Sequence, residues 1–425
     1  MTFFKTSLLN GIAVVVRMVT LLCINKILAV YVGPAGYAAL GQFQNAVQMI
    51  TTFASGAINA GVTKYTAEYH EDEERQRTVW RTAGSISLIG ALVTGVLVSV
   101  FNERLSLIFL NDRAFGGVFV WFSATLVLFI LNTLLLAVLN GKKEIPRYVI
   151  SNIAGSLFAL AVTTYMAIMW GLYGALVALA VYQSLSFFVT LFLCYSATWF
   201  KIRYFIGRID PGVARNLAKY TAMSLTSVAC VPVSQILVRN HLGQSFGWEA
   251  AGYWEALTRL SGAYLMLITT TLSVYYLPRF SELKKAEDIR AEISSGYKVI
   301  LPLTAAGALI IYLFRDMIVK LLFTPEFLPM TDLFAWQMLG DTLKIGSWIM
   351  AYLMLGKAMF KLFMVTEIVF SASFVILSCL FTKGFGLQGV TIAYAINYAA
   401  YWVVMGVCMS RELKKLNNHL KMSRA

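Results

Sequence analysis

Stretches of about 20 apolar residues, separated only by short polar or Gly/Pro-bearing breaks, follow one another along nearly all of this 425-residue chain. A segment of that length crosses a bilayer as a helix, because a helix satisfies its own backbone N–H and C=O groups where no water can. Hydrophobic residues make up 59% of the chain and charged ones only 13%, with a mean hydropathy of +0.70, so water-filled domains of any size are excluded. The chain is a polytopic membrane protein.

The breaks define about twelve helical spans. Six lie near 6–32, 37–63, 82–101, 116–139, 148–169 and 172–195, and six near 217–240, 252–277, 298–318, 333–356, 362–382 and 388–410. Four tokens recur between the two sets at an offset close to 215 residues. Ala35-Gly36-Tyr37 returns as Ala251-Gly252-Tyr253, Trp121 as Trp336, Gly141-Lys142 as Gly356-Lys357, and Gly171-Leu172-x-Gly174 as Gly386-Leu387-x-Gly389. One such pair means little in an apolar chain. Four in the same order, one of them a Trp, predict two equivalent halves.

The expected fold is therefore all-α: a six-helix lobe over 1–195, a linker over 196–216, a second six-helix lobe over 217–410 and a basic tail over 411–425, with a central cavity between the lobes. An even number of spans per half makes the repeat parallel. With the N-terminus cytoplasmic, 25 of the 35 Lys and Arg residues fall on the cytoplasmic side, four fall outside and six lie within spans or at their ends. Both termini are expected in the cytoplasm. Lys5 before an apolar run resembles a signal peptide, but Arg17 and Lys26 interrupt the run and no cleavage site follows, so a retained first span is expected.

Several chemistries are excluded at this level. The net charge of +14 is scattered between spans and does not form a nucleic-acid-binding face. Five cysteines inside apolar stretches and three dispersed histidines supply no disulfide framework or metal site. No GxxxxGK[ST] run exists to hold a nucleotide, the loops are too short for a catalytic domain, and no cofactor or enzymatic activity is expected.

Charge at membrane depth is the informative remainder, since a Lys, Arg or Asp at a span centre costs about 2.5–3.5 kcal/mol on the insertion scale. Arg17, Lys26, Arg239, Arg259, Arg315 and Lys344 are the basic examples, and Glu255, Asp341, Asp316 and Glu367 the acidic ones. Glu255 and Arg259 are spaced i, i+4 and Asp341 and Lys344 i, i+3, so each pair can neutralise itself on one helix face. Arg239, Arg315 and Asp316 lie near span ends, where snorkelling is an alternative. Arg17 has no acidic residue on its helix, and Lys26, about 13 Å further along, points to nearly the opposite face. In the second span Gln44, Asn45 and Gln48 form a hydrogen-bonding face, either glue between helices or a wall for sugar hydroxyls. Pro232 interrupts the seventh span, as a fixed kink or a hinge.

Five runs carry a family resemblance over essentially the whole chain: Gly33-Pro34-Ala35-Gly36; Gly61-Val62-Thr63-Lys64-Tyr65 with Glu68-Tyr69-His70; Ser273-Val274-Tyr275 with Leu277-Pro278; Asp332-Leu333-Phe334-Ala335-Trp336-Gln337; and Gly340-Asp341 with Lys344. The chain resembles Wzx-type flippases of the multidrug/oligosaccharidyl-lipid/polysaccharide exporter superfamily, both O-antigen translocases and lipid III flippases. The resemblance implies an inner-membrane protein that moves undecaprenyl-pyrophosphate-linked oligosaccharide from the cytoplasmic to the periplasmic leaflet by alternating access. It implies a basic cavity of Arg17, Lys26, Lys64, Arg239 and Lys344, to which the charge and polarity at membrane depth add Arg259, Gln44, Asn45 and Gln48 as candidate substrate contacts. It also implies ion coupling through Asp341 and the polymerase and chain-length proteins of the same pathway as partners, while Glu255 and Glu367 are further candidate coupling acids by their depth in the membrane. Glu255 and Arg259 depart from the lipid III subgroup's pattern, which leans the glycan toward an O-antigen unit. Two other readings stay open: a cation-coupled multidrug exporter, whose cavity would be acidic, and a membrane O-antigen polymerase or glycosyltransferase, which the short loops and the repeat oppose.

Overall fold

The computed structural model describes residues 3–283, 285–357 and 359–422, and among them every regular element is helical. The end of the expected basic tail, 423–425, lies outside the described residues, as do the side chains from 415 onward, of Lys5, and of Val274, Leu277 and Pro278 in the third family run. Two compact units divide the chain, residues 1–236 and 237–425. The division falls inside one helix, one turn after the buried Pro232.

In order, unit 1 contains α1 (Phe3–Tyr31), α2 (Gly33–Ala54), α3 (Asn59–Glu68), α4 (Glu73–Val100), α5 (Asn102–Leu110), α6 (Gly116–Gly141) and α7 (Ile145–Tyr195), then most of α8 (Pro211–Phe246). Unit 2 continues from α8 with α9 (Trp248–Thr271), α10 (Leu277–Glu282), α11 (Ala286–Leu313), α12 (Arg315–Leu322), α13 (Phe334–Gly356), α14 (Phe360–Phe385) and α15 (Gly389–Met422). Six stretches are long and apolar enough to cross a membrane, and two of them, Ile145–Tyr195 and Phe360–Lys414, run to 51 and 55 residues. At 1.5 Å per residue each of these is long enough for two crossings of a core about 30 Å thick. Among the remaining long helices, α2, α9 and α13 are more polar than these six stretches, and α8 bears a buried arginine. They are the helices that carry the Gln/Asn face, Arg239, Glu255 with Arg259, and Asp341 with Lys344.

The repeated glycines have a shared backbone cause. Gly171 breaks α7 at φ +53°, ψ −132°, and Gly386 separates α14 from α15 at φ +59°, ψ −145°. This is a region of backbone space open essentially to glycine alone. At Gly174 an added Cβ would stand 1.9 Å from the Met166 carbonyl oxygen, and at Gly389 it would stand 2.4 Å from the Phe381 backbone. The Gly-Lys token also acts alike in both units. Lys142 donates to Gln76 Oε1 (3.0 Å) and lies over Trp80 and Trp199, while Lys357 donates to the Leu283 carbonyl. Each lysine fastens the turn after a long helix to the segment that follows the second span of its own unit.

That second span is not the continuous helix expected over 37–63 and 252–277. In unit 1 the chain breaks between α2 and α3, with Gly56 and Ala57 both at positive φ. The freed carbonyls of Ser55 and Gly56 accept from Ser87 (3.4 Å) and Thr221 (2.7 Å), as backbone at membrane depth requires. In unit 2 the matching region, Leu272–Tyr276, widens into a π-helix ahead of α10. Ser55-Gly56 is the local signal for the first break; Leu272–Tyr276 has no such marker.

The segment 196–216 is exposed for most of its length, but Tyr204 and Phe205 bury themselves in unit 1. Phe205 stacks on Trp80 at 5.8 Å, and its carbonyl approaches so closely that a side chain at Gly84 would collide with it. The apolar core of unit 1 gathers Val62, Trp80, Val138 and Cys194, and that of unit 2 Phe280, Ile345, Ile349 and Met405.

Candidate functional site

In unit 1 the candidates Arg17, Gln44, Gln48 and Lys64 lie on exposed faces. Arg17 is exposed on α1 beside the exposed Ile12, Val15 and Val19, while Lys26 is half-buried beside the buried Ile24 and Asn25. The two do not share a face. On α2, Gln44 and Gln48 are exposed, but Asn45 turns inward and donates to Gln235 Oε1 at 3.3 Å. The expected three-residue wall is therefore two exposed glutamines plus an internal tie, because position 45 is one step around the helix from 44. Lys64 is exposed on α3, pairs with Glu68 at 3.8 Å and covers the Tyr65 ring. An exposed pair of this kind is worth little.

Unit 2 places its charges internally, in two clusters. In the first, Glu255 on α9 holds Arg239 of α8 through Oε2 (2.6 Å) and Arg259 through Oε1 (2.7 Å). The side chains of Arg239 and Glu255 are 1% and 7% exposed, and the Arg239 guanidinium lies against the Trp254 ring. The i, i+4 neutralisation read from the sequence is present, enlarged to a triad by a residue 16 positions earlier. Arg239 neither snorkels nor projects from the unit. A guanidinium this deep is held by a charge-assisted hydrogen bond to one oxygen of a carboxylate that is itself buried.

In the second cluster Asp341 on α13 is fully buried and interacts electrostatically with Lys344 at i+3, without a direct salt bridge among the described residues. Its oxygens accept from Tyr264 (2.8 Å), Tyr394 (2.9 Å) and Gln337 (3.2 Å), and Gln337 also reaches Ser261 at 3.3 Å. Lys344 is half-buried, and its ammonium lies 4.8 Å over Trp348, 5.6 Å over Tyr398 and 5.9 Å over Tyr394. Among the described residues it forms no ion pair. Glu367 on α14, also half-buried, acts electrostatically on Tyr398 and Tyr401. Tyr394, Tyr398 and Tyr401 form a ring ladder on α15 with centroid spacings of 4.8 and 6.4 Å, which runs from Asp341 past Lys344 to Glu367. Arg315 stands at the corner where α12 begins, donating to the Tyr312 carbonyl.

Magnitudes separate these cations. Removing a partner from a buried ion pair costs about 3–5 kcal/mol. Giving up a cation–π contact costs about 0.5–2 kcal/mol. Lys344, held by ring faces and by the field of Asp341 without a salt bridge, is thus easier to hand to an anion than Arg239 and Arg259, which are committed to Glu255. The aromatic partners Tyr264, Trp348, Tyr394 and Tyr398 were missed in the sequence, although Trp348 at i+4 from Lys344 and the Tyr394/Tyr398/Tyr401 spacing on one face are visible there. No group of His, Cys, Asp and Glu among the described residues is arranged to hold a metal ion.

The described residues define an all-α polytopic membrane fold with buried charged clusters, and that fold matches that of a multidrug resistance MATE family transporter of the MOP superfamily solved in an inward-facing conformation. That match has a TM-score of 0.78 and 15% identity, over 95% of this chain and 99% of that one. The chain belongs to the polysaccharide biosynthesis protein family, whose sequence model matches residues 3–284. It is 29% identical over 402 residues to the lipid III flippases of Escherichia coli (strain K12) and of Shigella flexneri, spanning 95% of this chain and 97% of each relative.

Proposed function

We propose that this protein is a flippase for lipid-linked oligosaccharides, carrying undecaprenyl-pyrophosphate-bound repeat units from the cytoplasmic to the periplasmic leaflet of the bacterial inner membrane. The end-to-end 29% identity to two lipid III flippases carries the reading. The chemistry supports it. A pyrophosphate bears about two negative charges, cannot cross hydrocarbon unaided and needs cations that can be released to it. Lys344 in its aromatic setting and the exposed Arg17 meet that need, while the exposed Gln44 and Gln48 suit sugar hydroxyls. Lys26 and Lys64 are secondary contacts on this reading, and Arg239, Glu255 and Arg259 hold the helices of unit 2 together.

On the same reading the lobes 1–195 and 217–410 rock about a central cavity, joined through 196–216, with Pro232 as hinge and both termini cytoplasmic. Asp341 is the coupling acid, and Glu367, at the far end of the tyrosine ladder, is its exit partner. Polymerase and chain-length proteins of the same pathway receive the flipped unit. The test is a proteoliposome assay with labelled undecaprenyl-pyrophosphate oligosaccharide. Wild-type protein is expected to translocate it; movement of a cationic drug with no movement of the lipid would replace the proposal with a multidrug exporter.

A further inference from the structure

A groove of about 530 Å³ opens between α11, α13 and α15 at the end of unit 2 that carries the basic residues Arg411 and Lys414. Its rim is polar and basic. Arg290, Ser294 and Lys298 stand at i, i+4 and i+8, so they share one face of α11, and Ser410 faces them from α15. All three α11 residues are exposed, and among the described residues neither Arg290 nor Lys298 forms an ion pair or hydrogen bond. The floor is apolar, built from Met350, Met409 and Leu413.

We infer that this groove binds an anionic glycerophospholipid, with the headgroup phosphodiester at Arg290, Ser294 and Lys298 and an acyl chain laid over the apolar floor along Met409 and Met350. Three features carry the assignment. Two uncommitted cations flank a hydroxyl on one helix face, which suits a single phosphate. The groove is amphipathic in the order a lipid needs, charged at the rim and apolar below. Basic pockets between transmembrane helices at the positively charged face are established headgroup sites. Gly406, where a Cβ would meet only Met350 at 3.8 Å, leaves the floor open. The acidic neighbours Glu287 and Asp288 lie in the preceding turn of α11 and do not line the groove. The site requires only that the protein be embedded in a membrane, and it stands whether or not the chain is a flippase.

The test uses the full-length protein, delipidated in detergent and titrated with phosphatidylglycerol and with phosphatidylcholine under native mass spectrometry. Wild type is expected to prefer phosphatidylglycerol. Arg290→Gln with Lys298→Gln should weaken that binding by about tenfold and leave phosphatidylcholine unaffected. Gly406→Leu, which fills the floor without touching charge, should weaken both lipids and also checks that loss does not depend on misfolding of the charge variant. Equal affinity for the two lipids, or unchanged phosphatidylglycerol binding in both variants, would overturn the site. Inorganic phosphate as an equal competitor would overturn the lipid assignment in favour of a soluble phosphate. Displacement of phosphatidylglycerol by undecaprenyl pyrophosphate at stoichiometric levels would overturn it in favour of a substrate subsite.

Discussion

Units 1 and 2 share their hinges of backbone and differ in their charges. Gly171 and Gly386 adopt nearly the same positive-φ geometry, Gly174 and Gly389 permit the same close backbone approach, and Lys142 and Lys357 each tie a turn to the segment after the second span. Charge follows no such repeat. Unit 1 leaves Arg17, Gln44 and Gln48 exposed, whereas unit 2 ties up Arg239, Glu255 and Arg259 in a buried triad and cradles Asp341 among tyrosines. Duplication preserved what the backbone needs in order to turn. On the proposed reading, function is carried by the residues that escaped it.

The largest expected effect comes from breaking the triad. Glu255→Leu leaves two guanidiniums facing each other in a dry interior and should cost about 3–5 kcal/mol, seen as loss of a monodisperse peak and a lowered unfolding temperature in detergent. Arg17→Leu, its counterpart test in unit 1, should leave stability within about 0.5 kcal/mol, as surface substitutions do. Similar losses for both variants would erase the distinction between the units.

The shared scaffold is tested next. Gly171→Ala and Gly386→Ala should each cost about 1–3 kcal/mol, and by similar amounts, because each forces a Cβ into glycine-only backbone space. Thermal unfolding of the two variants side by side measures it. A large effect at one position and none at the other would show that the repeat is not mechanically equivalent.

A smaller change in stability is expected at Asp341. Asp341→Asn keeps an acceptor for Tyr264 or Tyr394 and should shift stability by about 1 kcal/mol. Its transport phenotype should be sharper: an imposed proton gradient accelerates the wild type and leaves the variant at its basal rate. Equal acceleration of both would remove Asp341 from coupling.

The smallest effect concerns Lys142, outside the spans, whose pKa is lowered from its usual 10.5 chiefly by burial. The unfolded chain then binds more protons than the folded one in the window just below 10.5, so stability rises with pH across that window. Lys142→Met should flatten the rise and cost about 1 kcal/mol at neutral pH through the lost Gln76 and Trp contacts. Lys357→Met should cost less, since its burial is shallower and one carbonyl is its recorded partner.

Much of the fold was legible because membrane helices are written in long apolar runs, and because Gly171, Gly386 and the Gly-Lys tokens repeat for backbone reasons. The Glu255–Arg259 pair was legible from spacing alone. Arg239's membership of the triad was not, since it comes from a different helix and local spacing carries no record of that contact. Tyr264 and Tyr394 were hidden for a different reason. In an apolar chain a tyrosine counts as one more hydrophobic residue, and only the packing of α9, α13 and α15 turns two of them into donors for one carboxylate. The break at Gly56 was marked by its own sequence, whereas the π-helix at Leu272–Tyr276 depends on how α9 meets α10.

The measurement that bears most directly on the account is the initial rate at which proteoliposomes translocate labelled undecaprenyl-pyrophosphate oligosaccharide, compared between wild type and Lys344→Met. Lys344 is held by ring faces and stands ready for an anion, so the variant is expected to lose at least about tenfold in rate while unfolding within about 1–2 kcal/mol of wild type. A variant that folds normally and translocates at the wild-type rate would contradict the assignment of Lys344, and with it the claim that unduplicated charge is where the substrate binds.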